Sequence, residues 1–300
     1  LARHTLQGRN ANQLHSTFTE LCKDLHRRTE ENLRRHHPET IALKGQRPMA
    51  PFVYHPNYTL AYSAFRAPMQ YVILRRIFEE IAQRRPSFRP YNVLDFGAGC
   101  GTAAWAVDGV WSQTFREYQA IEPSRSMVDM GRILLNDFAG IRFEPSIPSF
   151  LERRHKSQKY ELAIGSFLLG ELTSDAARNA ATKVLFDSTA KSGMMVLAEP
   201  ATPWGLRCIS SARDFVLKNF AGKRHQYKAE IVTPFIPWYD RMLHKFTCQF
   251  GIEMENILLL FFSMLFVVGN QLHRLGRMPN FVPFHKAGML TALVLYSKKS

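Results

Sequence analysis

Residues 93 to 101 read Val-Leu-Asp-Phe-Gly-Ala-Gly-Cys-Gly, an apolar run that ends in an acid and then sets three glycines at alternate positions. Glycine adopts backbone angles closed to other residues and lets main-chain atoms approach a ligand closely, while a helix starting near Thr102 aims its free amides at the same spot. The spacing separates two ligands. A dinucleotide fingerprint leaves two residues between its second and third glycines, whereas Gly97, Gly99 and Gly101 alternate with single residues behind Asp95, the pattern of S-adenosylmethionine sites. A second acid, Glu122, closes the next apolar run, Tyr118-Gln119-Ala120-Ile121, where ribose hydroxyls require an acceptor. Asp95, Gly97, Gly99, Gly101 and Glu122 are therefore the candidate cofactor site, with Asp95 assigned to the ligand's amino group and Glu122 to its ribose. Catalysis is less well provided for. A methyl transferase acting on a base carries an Asn/Asp-Pro-Pro-aromatic turn or a cysteine nucleophile after the fourth strand; here that place reads Gly165-Ser166-Phe167-Leu168, without a general base or nucleophile. No catalytic residue is assigned, and Ser166 and Glu171 read as caps or packing contacts.

The elements that must position this loop follow from periodicity. Apolar runs at 92 to 96, 118 to 122, 141 to 144, 160 to 167 and 194 to 198 alternate with helical patterns near 102 to 114, 125 to 137, 174 to 190 and 206 to 220. That alternation specifies an α/β fold with a parallel, doubly wound, Rossmann-like sheet. Two further apolar stretches, 257 to 268 and 289 to 296, have no helical pattern between them and are expected to close the sheet as an antiparallel hairpin. Ahead of the core, Leu14, Phe18, Leu21 and Leu25 recur at helical spacing in a basic frame, which predicts an amphipathic helix stopping near Pro38. Pro38, Pro48, Pro51, Pro56 and Gly45 then predict an extended arm lying on something larger. A second helix is predicted from Pro68, with Met69, Val72, Ile73, Ile77 and Ile81 inward and the pairs Arg75/Glu79 and Arg76/Glu80 outward, ending at Arg84-Arg85-Pro86. The expected organisation is a basic helical and extended arm over 1–57 and a main domain over 58–300. Within that domain, 58–90 holds N-terminal helices, 91–220 the nucleoside-binding core, 221–256 a variable insertion and 257–300 the closing hairpin.

Composition narrows the partners. The 300 residues, 46% hydrophobic, suffice for one large core without disulfide support. The four cysteines, Cys22, Cys100, Cys208 and Cys248, form no C-x-x-C pair, so neither a zinc ribbon nor a disulfide framework is indicated, and a metal site is not expected. The formal charge is +14, and residues 1 to 90 hold 15 Lys/Arg against 7 Asp/Glu. Such an excess favours a polyanionic partner, most often nucleic acid. Arg27, Arg28, Arg34, Arg35, Arg84, Arg85 and Arg89 are the candidate phosphate contacts, and His15, His26, His36 and His37 are read as RNA-facing or solvated. The longest apolar run, Ile257 to Val268, is twelve residues, against about 20 for a bilayer span, and no membrane partner is expected. The chain opens on Leu1 instead of methionine, compatible with a removed transit peptide.

Several stretches carry a resemblance: Tyr62-Ser63-Ala64-Phe65-Arg66-Ala67-Pro68-Met69-Gln70-Tyr71, Leu74 to Ile81, the glycine loop, Gly165 to Leu172, and Glu199-Pro200-Ala201-Thr202-Pro203-Trp204-Gly205 followed by Ser211-Ala212-Arg213-Asp214. Together, over about residues 58 to 220, they resemble the methyltransferase-like assembly factors of the mitochondrial small ribosomal subunit. The resemblance implies a class I methyltransferase-type fold and a place in the mitochondrial matrix. It implies as partners the small-subunit rRNA and ribosomal proteins or other assembly factors, and leaves the S-adenosylmethionine site either occupied or vestigial. The family's iron–sulfur cysteines follow the Ala-Arg-Asp helix; here the matching place reads Ile231-Val232-Thr233-Pro234-Phe235-Ile236-Pro237-Trp238, and Cys248 resembles one remaining ligand. Such clusters need about four thiolates, so no iron–sulfur cluster is expected, and the Pro/aromatic segment 233–239 would substitute apolar packing or a partner contact. Two functions stay open: a noncatalytic assembly factor, or an active S-adenosylmethionine-dependent rRNA methyltransferase. The basic arm argues against a small-molecule methyltransferase.

Overall fold

The computed structural model describes residues 11–36, 49–112, 114–153, 158–220, 228–232 and 290–298. The chain divides into two units, one of residues 1–233 with 290–300 and one of 234–289; the described residues all belong to the first. Cys248, segment 233–239 and the 257–268 run lie outside them.

The centre is a sheet in the order β3-β2-β1-β4-β5-β7-β6. β1 (Asn92–Phe96), β2 (Glu117–Ile121), β3 (Ile141–Glu144), β4 (Tyr160–Ser166) and β5 (Thr189–Pro200) are parallel, and β7 (Leu290–Lys298) runs antiparallel between β5 and β6 (Lys228–Val232). This corrects the expected closing hairpin. β7 forms where 289 to 296 was read as a strand, but both its edges are taken, by β5 and by 228–232 from the stretch assigned to the insertion. Strand pairing is a tertiary choice, and five residues of mixed polarity advertise it poorly beside a twelve-residue apolar run.

Helices cover both faces. α4 (Thr102–Val110), α5 (Arg125–Leu134), α7 (Asp175–Ser188) and α8 (Pro203–Phe220) match the expected periodic segments, and α6 (Ile147–Arg153) was not anticipated. Local chemistry sets their starts. The Ser124 and Ser174 hydroxyls accept from the amides of Met127 and Ala177, and α8 opens with Pro203 in its first turn while Thr202 Oγ1 accepts from the Gly205 amide. One core face gathers Val93, Tyr118, Leu162, Ile164 and Val196 against α4 and against Leu74, Ile77, Phe78 and Ile81 of the helix predicted from Pro68, in which Val72, expected inward, is exposed; the other packs Leu94, Phe96, Ala163 and Leu197 against α7 and α8.

The front of the chain is built into this unit. α1 (Ala11–Arg35) buries Leu14, Phe18 and Leu21 with Leu60, Ala61, Tyr62, Cys100 and Met127, so this helix rests on its own domain. α2 (Pro56–Ala61), a π-helical turn (Tyr62–Arg66) and α3 (Ala67–Arg84) run on without a break. Pro68, lacking an N–H, falls in the first turn of α3, and the turn before it is widened so that the Ala67 amide reaches back to the Tyr62 carbonyl. The pairs Arg75–Glu79, at 3.0 Å, and Arg76–Glu80 lie on the outer face as expected.

Candidate nucleoside site

Strand order reverses between β1 and β4, and in open α/β sheets ligands bind at the carboxyl ends of the strands flanking that point. The glycine loop sits there. Gly97, Gly99 and Gly101 take φ of +76°, +55° and +84°, the left-handed region that side chains disfavour. The amides of Gly97 and Ala98 donate to the Ile121 carbonyl at 2.9 and 3.1 Å, tying the loop to the end of β2. The three glycines differ in what surrounds them. A Cβ on Gly97 would lie 2.9 Å from Leu168 Cδ1 and one on Gly101 2.2 Å from Leu135 Cδ1, so these two are closed by packing. A Cβ on Gly99 would meet only the Tyr62 hydroxyl, at 3.9 Å. Gly99 is the loop's open face.

Both acids lie at the strand ends beside the loop. Glu122 accepts from the Gly99 amide at 2.9 Å through Oε2 and from the Ser124 amide at 2.8 Å through Oε1, leaving each oxygen a lone pair for a further donor. Burial raises its pKa to about 7, against those two amides. Asp95 is fully buried; Oδ2 accepts from the Tyr118 hydroxyl at 2.7 Å, and Oδ1 has no partner among the described residues. Burial lifts this carboxyl to about 7 as well. An orphaned acceptor beneath the loop, spare acceptors on Glu122 and space over Gly99 fit a nucleoside joined to an amino-bearing tail.

The roof comes from residues that motif reading did not join to the site. The Tyr54 hydroxyl donates to Glu171 Oε1 at 2.7 Å, the Ser124 hydroxyl donates to the Tyr54 carbonyl at 3.4 Å, and the buried Tyr62 hydroxyl donates to Gln70 Oε1 at 2.5 Å. Burial raises the pKa of Glu171, opposed by the Tyr54 hydroxyl and the cations of Arg66 and Arg28. Behind it, Glu199 Oε1 accepts from the Leu169 amide at 2.6 Å, and burial pushes this carboxyl to about 8. Phe167, directly after β4, holds φ at 55°, strain of the kind found at ligand sites, yet the side chains it sets beside the loop are apolar.

The arginines expected to meet phosphate divide by surroundings. Arg28 turns inward: its guanidinium donates to the Ala50 and Glu171 carbonyls at 2.7 and 3.0 Å. Arg35 pairs with Glu31 at 2.6 Å, while Arg27, Arg34 and Arg84, although paired with Asp24, Glu31 and Glu80, project their side chains into solvent. Arg89 is exposed and caps the Pro86 and Phe88 carbonyls, and Arg85 is half-buried. These residues lie on α1 and at the end of α3, not on one element. His36 departs from the solvated reading: it stacks at 4.8 Å from Trp204, with Nε2 3.4 Å from Asp175 and 3.2 Å from the Arg178 guanidinium. Among the described residues no group of His, Cys, Asp and Glu is arranged to hold a metal ion, and no helix is long and apolar enough to cross a membrane.

A parallel sheet reversing at β1/β4, closed by an antiparallel β7 inserted beside β5, with a glycine loop on β1 and an acid ending β2, defines a class I methyltransferase-type protein. Solved structures of that class align across most of the chain. The plantazolicin methyltransferase BamL, in complex with a triazolic analog and SAH, gives a TM-score of 0.49 at 12% identity over 94% of this chain and 99% of that one. The ribosomal protein L11 methylase from Lactobacillus delbrueckii subsp. bulgaricus gives 0.42 at 12% over 76% and 79%. Likeness at that level adds nothing to what the strand order already defines. Sequence is more specific: residues 56–238 match the family described as mitochondrial small ribosomal subunit Rsm22, and the chain belongs to that family. A human protein, "Ribosome assembly protein METTL17, mitochondrial", is 32% identical over 170 residues, which are 55% of this chain and 37% of that protein. The chain thus covers little more than a third of that relative's length.

Proposed function

We propose that this chain is an assembly factor of the mitochondrial small ribosomal subunit that docks on immature rRNA and its proteins in the matrix and uses a methyltransferase-type domain without catalysis. Family membership supports the ribosomal and mitochondrial part of the reading, and the human relative is named for ribosome assembly. The observation that carries the absence of catalysis is the carboxyl end of β4. There Phe167 and Leu168 stand where a base-modifying enzyme needs a nucleophile or general base, and Leu168 packs against Gly97.

S-adenosylmethionine fits the site as a bound ligand. Glu122 would accept from its ribose hydroxyls, Asp95 from its amino group, and the main chain of Gly97, Gly99 and Gly101 would lie along it. When bound, it supplies an electrophilic methyl group on a sulfonium. The retained loop favours a second reading, an active rRNA methyltransferase, and one experiment separates the two. Depletion of the protein is expected to stall small-subunit maturation, and a Gly99→Arg variant, whose side chain fills the open face, is expected to restore it. Failure of a folded, particle-bound Gly99→Arg variant to rescue, with loss of a specific rRNA methyl mark, would refute the structural role. RNA affinity should fall with salt with a log-log slope of about −0.7 per phosphate neutralised on single strands, and reversing Arg27 and Arg34 should flatten it.

A further inference from the structure

Arg66 ends the π-helical turn and is half-buried. Its guanidinium lies 6.0 Å from the centre of the Tyr62 ring, whose hydroxyl borders the open face of Gly99. Burial works against its charge, while Tyr54, Tyr62 and Glu171 hold its pKa above the usual value. Glu171 is the acid in this set, yet its Oε1 accepts from Tyr54, and among the described residues Arg66 has neither a hydrogen-bond partner nor a carboxylate within ion-pair distance. Arg27, Arg28, Arg34, Arg35, Arg84 and Arg89, by contrast, each direct donors at a carbonyl or a carboxylate. A guanidinium carries five donors in a planar fork shaped for a carboxylate, and leaving them unused in a half-buried place is unfavourable. π-Helical turns, moreover, occur often at functional sites.

We infer that Arg66 binds the carboxylate of the ligand's amino-acid end, so that the site selects an aminoacyl nucleoside over a plain one. This rests on the reading that the loop holds S-adenosylmethionine. Three groups with donors or acceptors to spare would then meet three polar parts of one molecule: Glu122 the ribose, Asp95 Oδ1 the amino group, Arg66 the carboxylate.

The test is calorimetry on the whole chain with S-adenosylmethionine and with decarboxylated S-adenosylmethionine, which lacks only the carboxyl group. Wild-type protein is expected to bind the first roughly 10- to 100-fold more tightly, the range of a charge-assisted hydrogen bond. Arg66→Met should bind both at the wild type's weaker affinity, and Arg66→Lys should recover part of the difference. Equal wild-type affinities, or an undiminished ratio in an Arg66→Met variant with wild-type circular dichroism, would overturn the inference while leaving the ligand reading intact. The second outcome is what a residue that merely offsets Glu171 would give. Wild-type protein binding neither compound would overturn both readings. The ligand pair needs no variant, so the comparison stands even if Arg66→Met fails to fold.

Discussion

Alanine at two neighbouring glycines should separate packing from ligand space. At Gly101, φ of +84° makes any side chain strained, at roughly 1–2 kcal/mol, and the added Cβ would sit 2.2 Å from Leu135 Cδ1 and 3.0 Å from Leu135 Cγ. Leu135 is buried in the sheet core and cannot swing into solvent, so overpacking adds roughly 1–3 kcal/mol. Gly101→Ala should therefore cost about 3 kcal/mol. Gly99→Ala meets the same kind of backbone strain at φ +55° but only the Tyr62 hydroxyl at 3.9 Å, so about 1 kcal/mol is expected. Urea denaturation at constant m-value measures both losses, and calorimetry with S-adenosylhomocysteine measures binding. Gly99→Ala should weaken binding in a protein that remains folded, because the methyl occupies the loop's open face. If Gly99→Ala lost as much stability as Gly101→Ala, or bound the ligand as tightly as wild type, the division into a packed and an open side would be refuted.

Three further outcomes follow from the same geometry. Arg28→Ala should cost about 1–3 kcal/mol of stability in urea denaturation, through loss of charge-assisted bonds to the Ala50 and Glu171 carbonyls, whereas Arg34→Ala, on an exposed pair, should stay within about 0.5 kcal/mol. Asp95 and Glu122, each near 7, and Glu199, near 8, keep their protons in the folded chain well above the range near 4 where the unfolded chain releases them, so the folded state holds more protons in between. Stability should accordingly fall as pH rises from about 4 to 8, on the order of 3 kcal/mol per carboxyl; urea midpoints read this, Glu199→Gln should flatten the fall, and a rise over that window would contradict the assignment. Protein purified without oxygen should be colourless and free of stoichiometric iron, since Ile231 to Trp238 contains no cysteine; a brown preparation with about four irons per chain would show that a cluster persists.

The glycine loop was legible because each of its demands is local: a positive φ, a strand before it, a helix after it. The five parallel strands were legible for a similar reason, as buried β-strands read as short apolar runs bounded by turns. What encloses the loop was not. Tyr54 and Glu171 are 117 residues apart and meet only because α1 and the segment before α2 fold back over the ends of β1 and β4. Arg28 and His36 read as members of a basic, solvated face, yet Arg28 lies on the inner side of α1 and His36 sits at its end, where Trp204 and Arg178 receive it. Periodicity gives the apolar stripe of a helix, not which of its polar residues find carbonyls across the fold. α6 escaped notice because seven residues containing a proline show no usable period.

The π-helical turn also governs which insertions and deletions this chain can tolerate. An α-helix advances about 100° per residue, so the extra residue in Tyr62–Arg66 sets the phase between two helical faces, Leu60 and Ala61 toward the loop and Leu74, Ile77 and Phe78 toward the sheet. Ala64 is exposed, and its side chain is free to vary. Its removal would be another matter: the turn would relax to ordinary α geometry, and everything upstream would rotate by about 100° and draw in by about 1.5 Å, carrying Tyr62 off Gly99. At this position the number of residues matters more than their identity.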